Sequence, residues 1–269
     1  MKIINATWEK RNLGCDAYEI QIERKDLKNF SSIMSELKKQ DFSGAYVTVK
    51  MPVGNLEALH SLEDDGFRFM ETQFHMVRDL INYETPELIS RLKNILEQKE
   101  VEKNDVSWRS IVNLMTSDMF YTDRIYLDPK LKSGTSCKRY QNWIMDLVHN
   151  PEAHLFVYNH KEVPIGFGLV KMNSETGIVD DLLEGVFEKY QDSGLGFMMF
   201  DIALKSYQRY GMRKLETSIS SNNPAIINLD LVFGYSIAEE EYVLRKFNKG
   251  EINGRANCFN TVTTVRTED

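Results

Sequence analysis

Residues 190–200, YQDSGLGFMMF, decide how this chain is read. They join a stretch with strand character, DDLLEGVF (180–187), to one with helical character, GLGFMMFDIALKSYQRYG (194–211). Gly194 and Gly196 stand one residue apart where that helix begins. Glycine there lowers the cost of unusual φ values and lets another molecule approach the main chain. The first N–H groups of a helix have no partner inside it and carry partial positive charge, which suits a phosphate. The stretch therefore predicts a phosphate-bearing ligand.

Several phosphate-binding patterns are excluded. A dinucleotide fold requires G-x-G-x-x-G after a first strand, but Met199 holds the third glycine position and the turn lies late in the chain. G-x-x-x-x-G-K-[ST], H-E-x-x-H, C-x-x-C and G-x-S-x-G are all missing. The five histidines are scattered, none at metal-ligand spacing, so no metal is expected.

Working outward, strands and helices alternate along the chain. YEIQIE (18–23), GAYVTVKM (44–51) and FRFMETQFHMVRDL (67–80) read as strands. LKNFSSIMSELKKQ (27–40) places Phe30, Ile33, Met34 and Leu37 on one helical face, and NLEALHSLEDDG (55–66) is a short helix stopped by Gly66. A polar segment after Thr85 and Pro86 reads as a connecting helix over 83–104. Beyond it come two helical stretches around Trp108 and Trp143, and a strand pair, HLFVYNH (154–160) and VPIGFGLVKMN (163–173). After the glycine turn and its helix follow a strand (213–220), a helix (223–234) and a strand (236–247). This order implies an α/β protein with a mixed sheet flanked by helices.

An internal repeat is visible. Residues 46–79 and 215–246 each run strand, Asn (Asn55, Asn223), helix, Gly plus aromatic (Gly66-Phe67, Gly234-Tyr235), then a strand with Arg near its end. The glycine turn precedes the second copy alone. The expected organisation is a partial N-terminal domain (1–82), the connecting helix (83–104) and a complete C-terminal domain (105–269).

The turn resembles the pyrophosphate signature of the GNAT superfamily of acyl-CoA-dependent N-acetyltransferases: Arg or Gln, two residues, Gly, one residue, Gly or Ala. Here it reads Gln191-Asp192-Ser193-Gly194-Leu195-Gly196. Val186 stands five residues before, as in that family, and Asn223 followed by Gly234-Tyr235 matches its downstream pattern. The resemblance covers about 106–246. It implies a GNAT fold, with acetyl-CoA as co-substrate gripped by the N–H groups from Gln191 to Gly196. It also implies pairing of the pantetheine arm with an opened strand edge at Glu184, Gly185 and Val186.

The segment FYTDRIYLDPKL (120–131) with Trp143 in a helix is similar to one in the TDP-fucosamine acetyltransferases and their relatives, which also join a partial GNAT-like half to a complete one. That resemblance implies a nucleotide-linked amino-deoxy sugar as acceptor, with Arg124, Tyr126 and Asp128 lining its site. Arg124 and Asp128 can equally pair to pin a loop. A peptide or small polyamine remains an alternative acceptor, favoured by the acidic strand at 180–187, whereas a nucleotide sugar asks for cations such as Lys130, Lys132, Lys138 and Arg139. A non-catalytic acyl-CoA-binding module is a third reading.

The family commonly has a Tyr four residues before the Gly-aromatic pair, thought to protonate the leaving thiolate. Here that residue is Asp230. A carboxylic acid can serve only if burial or nearby negative charge raises its pKa. Otherwise Tyr242 acts, no acid is needed, or activity is reduced. For the base that neutralises the amine, Asp180, Asp181 and Glu184 crowd one strand. Strict alternation puts Asp181 and Glu184 on opposite faces, so at most one of these two reaches the acceptor.

Composition sets the outer limits. A net charge of −7 argues against nucleic acid and against a polybasic membrane contact. Three dispersed cysteines, Cys15, Cys137 and Cys258, fit reduced thiols in the cytoplasm. The N-terminus has no signal-like apolar core, and no apolar run reaches the ~18 residues of a membrane span. Oligomeric state is open, a homodimer included. The tail NTVTTV (260–265) has the composition of one more strand.

Overall fold

The computed structural model describes residues 1–91, 95–191 and 193–247. Cys258 and the NTVTTV stretch lie outside them, as does Asp192 of the glycine turn. The N-terminal half contains β1 (Lys2–Asn5), α1 (Lys10–Leu13), β2 (Ala17–Gln21), α2 (Phe30–Leu37), β3 (Tyr46–Pro52), α3 (Leu56–Asp64) and β4 (Arg68–Asp79). Then come α4 (Glu87–Ser90), β5 (Glu97–Glu100), α5 (Asp105–Val112), α6 (Arg124–Leu127) and α7 (Thr135–Asp146). The remainder is β6 (Ala153–His160), β7 (Val163–Asn173), β8 (Ile178–Val186), α8 (Leu195–Arg209), β9 (Lys214–Ser220), α9 (Pro224–Val232) and β10 (Ser236–Phe247).

Among the described residues all strands join one ten-stranded mixed sheet in the order β1-β2-β3-β10-β4-β9-β8-β7-β6-β5. The last of the described strands thus inserts between two strands of the first half, and the sheet continues to β5 beyond them. That segment is not the expected helix. One helical turn, Glu87–Ser90, is followed by strand β5, which pairs antiparallel with β6. The polar pattern that reads as an exposed helix equally suits an edge strand with one wet face.

The repeat is visible in the backbone. Asn55 and Asn223 both cap their helices, accepting from Ala58 N at 2.9 Å and Ile226 N at 3.3 Å. Gly66 and Gly234 both adopt positive φ, 92° and 80°, ending those helices in the left-handed conformation glycine favours. Phe67 N donates to Leu62 O and Tyr235 N to Asp230 O, each at 3.0 Å, closing the same terminal turn. The two copies differ at the parallel strand pair. β2 and β3 stay paired through Gln21↔Lys50, and Ile22 N continues the ladder to Lys50 O at 2.9 Å. β8 and β9 pair from Ile178↔Lys214 only as far as Asp181↔Thr217.

Apolar clusters fill the layers. One beneath α8 and α9 contains Met76, Leu204, Leu215 and Phe233; one beneath α5 and α7 contains Trp108, Ile144, Leu155 and Phe167. A third, under α2 and α3, contains Ile20, Met34, Val49 and Leu62, so the helical face read from the sequence is the buried one. Among the described residues no helix is long and apolar enough to cross a membrane.

Candidate active site

Where β8 and β9 part, Thr217 Oγ1 donates to Asp181 O at 3.1 Å, and beyond that tie Leu182–Val186 have no β9 partner. An unpaired strand edge presents N–H and C=O groups in extended geometry, ready for another amide-bearing chain. Immediately after it, Gly194 starts α8 with φ 75° and no side-chain cap of its own, while Ser193 Oγ accepts from Leu195 N at 3.3 Å. A Cβ built on Gly194 would meet nothing within 4 Å, and one on Gly196 would meet only Val186 Cγ2 at 3.9 Å. The protein itself thus leaves room for a side chain at Gly196, and the glycine keeps the groove beside the helix open.

That groove is a cavity of about 620 Å³, lined by Glu184, Gly185, Val186, Gln191, Ser193, Gly194, Gly196 and Asn223. Gln191 folds back so that its side-chain amide donates to Val186 O at 3.4 Å. Leu195 turns into the core under α8, so any role it has toward a ligand is through its main chain. Asn223 contributes to the lining while its Oδ1 is engaged as the helix cap.

A second cavity of about 210 Å³ adjoins the first, and the two share Glu184, Asn223, Ile226, Met119 and Thr122 in their walls. Its polar lining includes Glu71, Asp123, Arg124, Asp181, Glu184 and Asp230. The opposite-face expectation for Asp181 and Glu184 is therefore overturned. β8 pairs Leu183 with Leu169 but Asp181 with Val170, so Leu182 is an extra residue without a β7 partner. Such a bulge breaks the period-two alternation and turns both carboxyls to one cavity.

Electrostatics in this cavity are unusual. Asp230, 1 % exposed, is pushed up to about 8, first by burial and then by the charge of Asp181. Burial also raises Asp181. Glu184 is raised well above the normal range by burial and by both of those neighbours. Asp181 Oδ1 and Asp230 Oδ2 have no hydrogen-bond partner among the described residues. Three carboxyls crowded together with one of them fully buried resist ionising together, so at neutral pH the cluster holds protons. It can both accept and donate one.

The acceptor-side residues expected from the sequence divide. Arg124 lines the second cavity and pairs through Nη1 with Glu71 at 3.2 Å. Asp128 does not reach it and does not pair with Arg124. It is a buried anchor, accepting from Arg245 Nε at 2.8 Å, from Arg245 Nη2, and from Tyr46 Oη at 3.0 Å. Tyr126 is exposed and lines neither cavity. Tyr242 as an acid is also corrected. On β10 it stacks edge-on against Phe69 (6.1 Å) beside the cluster under α2 and α3, and lines neither cavity. Lys130, Lys132 and Lys138 do not line the cavities, and Arg139 is engaged by Glu9 at 2.7 Å.

Sequence reasoning missed Glu71 and Asp123. Glu71 lies in the N-terminal half on β4, and only the sheet order brings it beside β9, where Ser220 Oγ donates to it. No local motif marks it.

Residues 108–235 match the sequence profile of the Acetyltransferase (GNAT) family. No curated protein matches the chain. Solved structures of similar fold include a GCN5-related N-acetyltransferase from Sphaerobacter thermophilus, 16 % identical over 91 % of this chain and 75 % of that one, TM-score 0.59. Another is a conserved protein of unknown function from Staphylococcus epidermidis, 14 % identical over 87 % and 84 %, TM-score 0.56. A GCN5-related N-acetyltransferase from Kribbella flavida is 10 % identical over 86 % and 81 %, TM-score 0.52. At these identities the likeness is one of fold.

Proposed function

We propose, from the match of residues 108–235 to the Acetyltransferase (GNAT) family, that this chain is an acyltransferase that uses acetyl-CoA to acetylate a primary amine in a ternary complex. The observation that carries the reading is the junction of the two cavities at Glu184: a groove with an open strand edge and a glycine-begun helix start meets a pocket of proton-holding carboxyls. The residues fit the co-substrate. The N–H groups beginning α8 suit its diphosphate, and the free edge of Leu182–Val186 suits its pantetheine amides.

In this reading the amine nitrogen attacks the thioester carbonyl carbon, the C–N bond forms, the C–S bond breaks, and an amide and a thiol leave. Asp181 takes the proton from the nitrogen, and protonated Asp230 returns one to the departing thiolate. Asp230 thus stands where the family commonly has Tyr, and burial supplies the raised pKa the role requires. A main-chain N–H of the open β8 edge polarises the thioester carbonyl. Holding both reactants across the cavity junction supplies much of the rate. Dispersed cysteines favour a cytoplasmic setting for the chain.

The nucleotide-sugar acceptor loses the support of Tyr126, Asp128 and the nearby lysines, none of which line the cavity. What remains is a primary amine small enough for a pocket of this size. The test is thiol release from acetyl-CoA with a panel of primary amines, alongside calorimetry with coenzyme A. Turnover with at least one amine supports the reading. Tight coenzyme binding with no turnover on any amine leaves the binding-module reading, and no coenzyme binding removes both.

A further inference from the structure

Met119 lies in the walls of both cavities, reaching them from the short turn Ser117–Phe120 between α5 and α6. Its methyl carbon sits against the open edge of β8. A Cβ built on Gly185 would come within 3.1 Å of Met119 Cε and 3.2 Å of Phe167 Cε1. That is closer than ordinary van der Waals contact, so glycine at 185 is what lets the thioether close over the main chain. On its other side Met119 packs against the cluster under α5 and α7, which contains Trp108, Phe167 and Phe187. A core packed at interior density resists taking in an extra group, so Met119 has little room to retreat. The other apolar side chain in both walls is Ile226 of α9.

In the transferase reading, on which this inference rests, the thioester lies where the two cavities meet, and the carbons of its acyl group face Met119 and Ile226. Beyond that point the smaller cavity is lined by charged Glu71, Asp123 and Arg124, and it must also hold the acceptor. A longer acyl chain has two ways to go. It can run among those charged groups, where its methylenes would strip water from them, or press on a side chain backed by a packed core. We propose that Met119, seated on Gly185, sets the acyl-chain length and holds the donor to short chains, acetyl in preference to butyryl. Truncating Met119 would open a space beside Gly185 walled by Phe167 and its neighbours, apolar surface on which further methylenes can be buried.

The test needs no acceptor. Calorimetry on the full chain measures the binding of coenzyme A and of two unreactive thioethers, S-ethyl-coenzyme A and S-butyl-coenzyme A. The unaltered chain is expected to bind the S-butyl compound about tenfold more weakly than the S-ethyl compound. In Met119→Ala the S-butyl compound should gain about tenfold relative to the S-ethyl compound, roughly what burial of two methylenes supplies. A purely structural role for Met119 would shift both thioethers together and leave their ratio as it was. Equal binding of the two by the unaltered chain, or an unchanged ratio in Met119→Ala, overturns the inference while the transferase reading stands on its binding of coenzyme A. No binding of coenzyme A itself removes both. Should Met119→Ala fail to fold, Met119→Val, a smaller truncation, takes its place with the same expected direction.

Discussion

Asp181 and Glu184 look into the same cavity because Leu182 between them is bulged out of register with β7. Three positions apart on a regular strand, they would face opposite sides of the sheet. Sharing one cavity makes their protonation states interdependent, and that interdependence is measurable. In a double-mutant cycle with Asp181→Asn and Glu184→Gln, denaturant unfolding should give a coupling of roughly 0.5–3 kcal/mol, whereas side chains on opposite faces would add independently.

Asp230 is the proposed proton donor to the thiolate. Asp230→Asn should lower kcat by roughly 10²–10⁴, the usual range for loss of a general acid, with coenzyme binding unchanged by calorimetry. An unaltered kcat would show that the thiolate leaves unaided.

The same carboxyl sets a pH dependence of stability. Its folded pKa, about 8, lies above the ordinary carboxyl value of 3.8. Between those values the folded chain binds more protons than the unfolded chain, so this group's contribution falls as pH rises. The stability difference between Asp230→Asn and the unaltered chain, measured by urea unfolding at intervals from pH 4 to 9, should therefore shift in favour of the variant as pH rises. Taking the difference cancels groups of opposite sign such as Asp201, whose pKa is lowered.

Gly196 sits in the first turn of α8 with space for a side chain. Replacing it with Leu removes the entropic cost of helical glycine, about 0.5–1 kcal/mol, so Tm should hold or rise. The leucine would occupy the groove, and coenzyme A affinity should fall more than tenfold, about 1.4 kcal/mol. A variant that binds the coenzyme normally would remove this turn from the site.

Asp128 is an anchor in this structure. Asp128→Ala leaves the Arg245 guanidinium, in a residue 7 % exposed, without its carboxylate. Breaking a buried pair on one side costs about 3–5 kcal/mol. Urea unfolding should show that loss, while KM for the acceptor amine in the folded fraction stays unchanged.

What the chain's order of residues determined by itself was local. The glycine turn, the helix faces, the Asn caps and the Gly66 and Gly234 terminations follow from backbone sterics and side-chain periodicity within a few residues, and all are legible in one dimension. The strand at 97–100 was not, because a polar segment's conformation depends on whether a partner such as β6 is beside it. Tertiary structure alone decided the chemistry of the smaller cavity. It bulged Leu182, buried Asp230, brought Glu71 across from the other half, and moved Asp128 and Tyr242 away from the site. A carboxyl's pKa and a side chain's facing depend on neighbours distant in sequence, and folding assembles those neighbours by burying apolar surface rather than by any local rule.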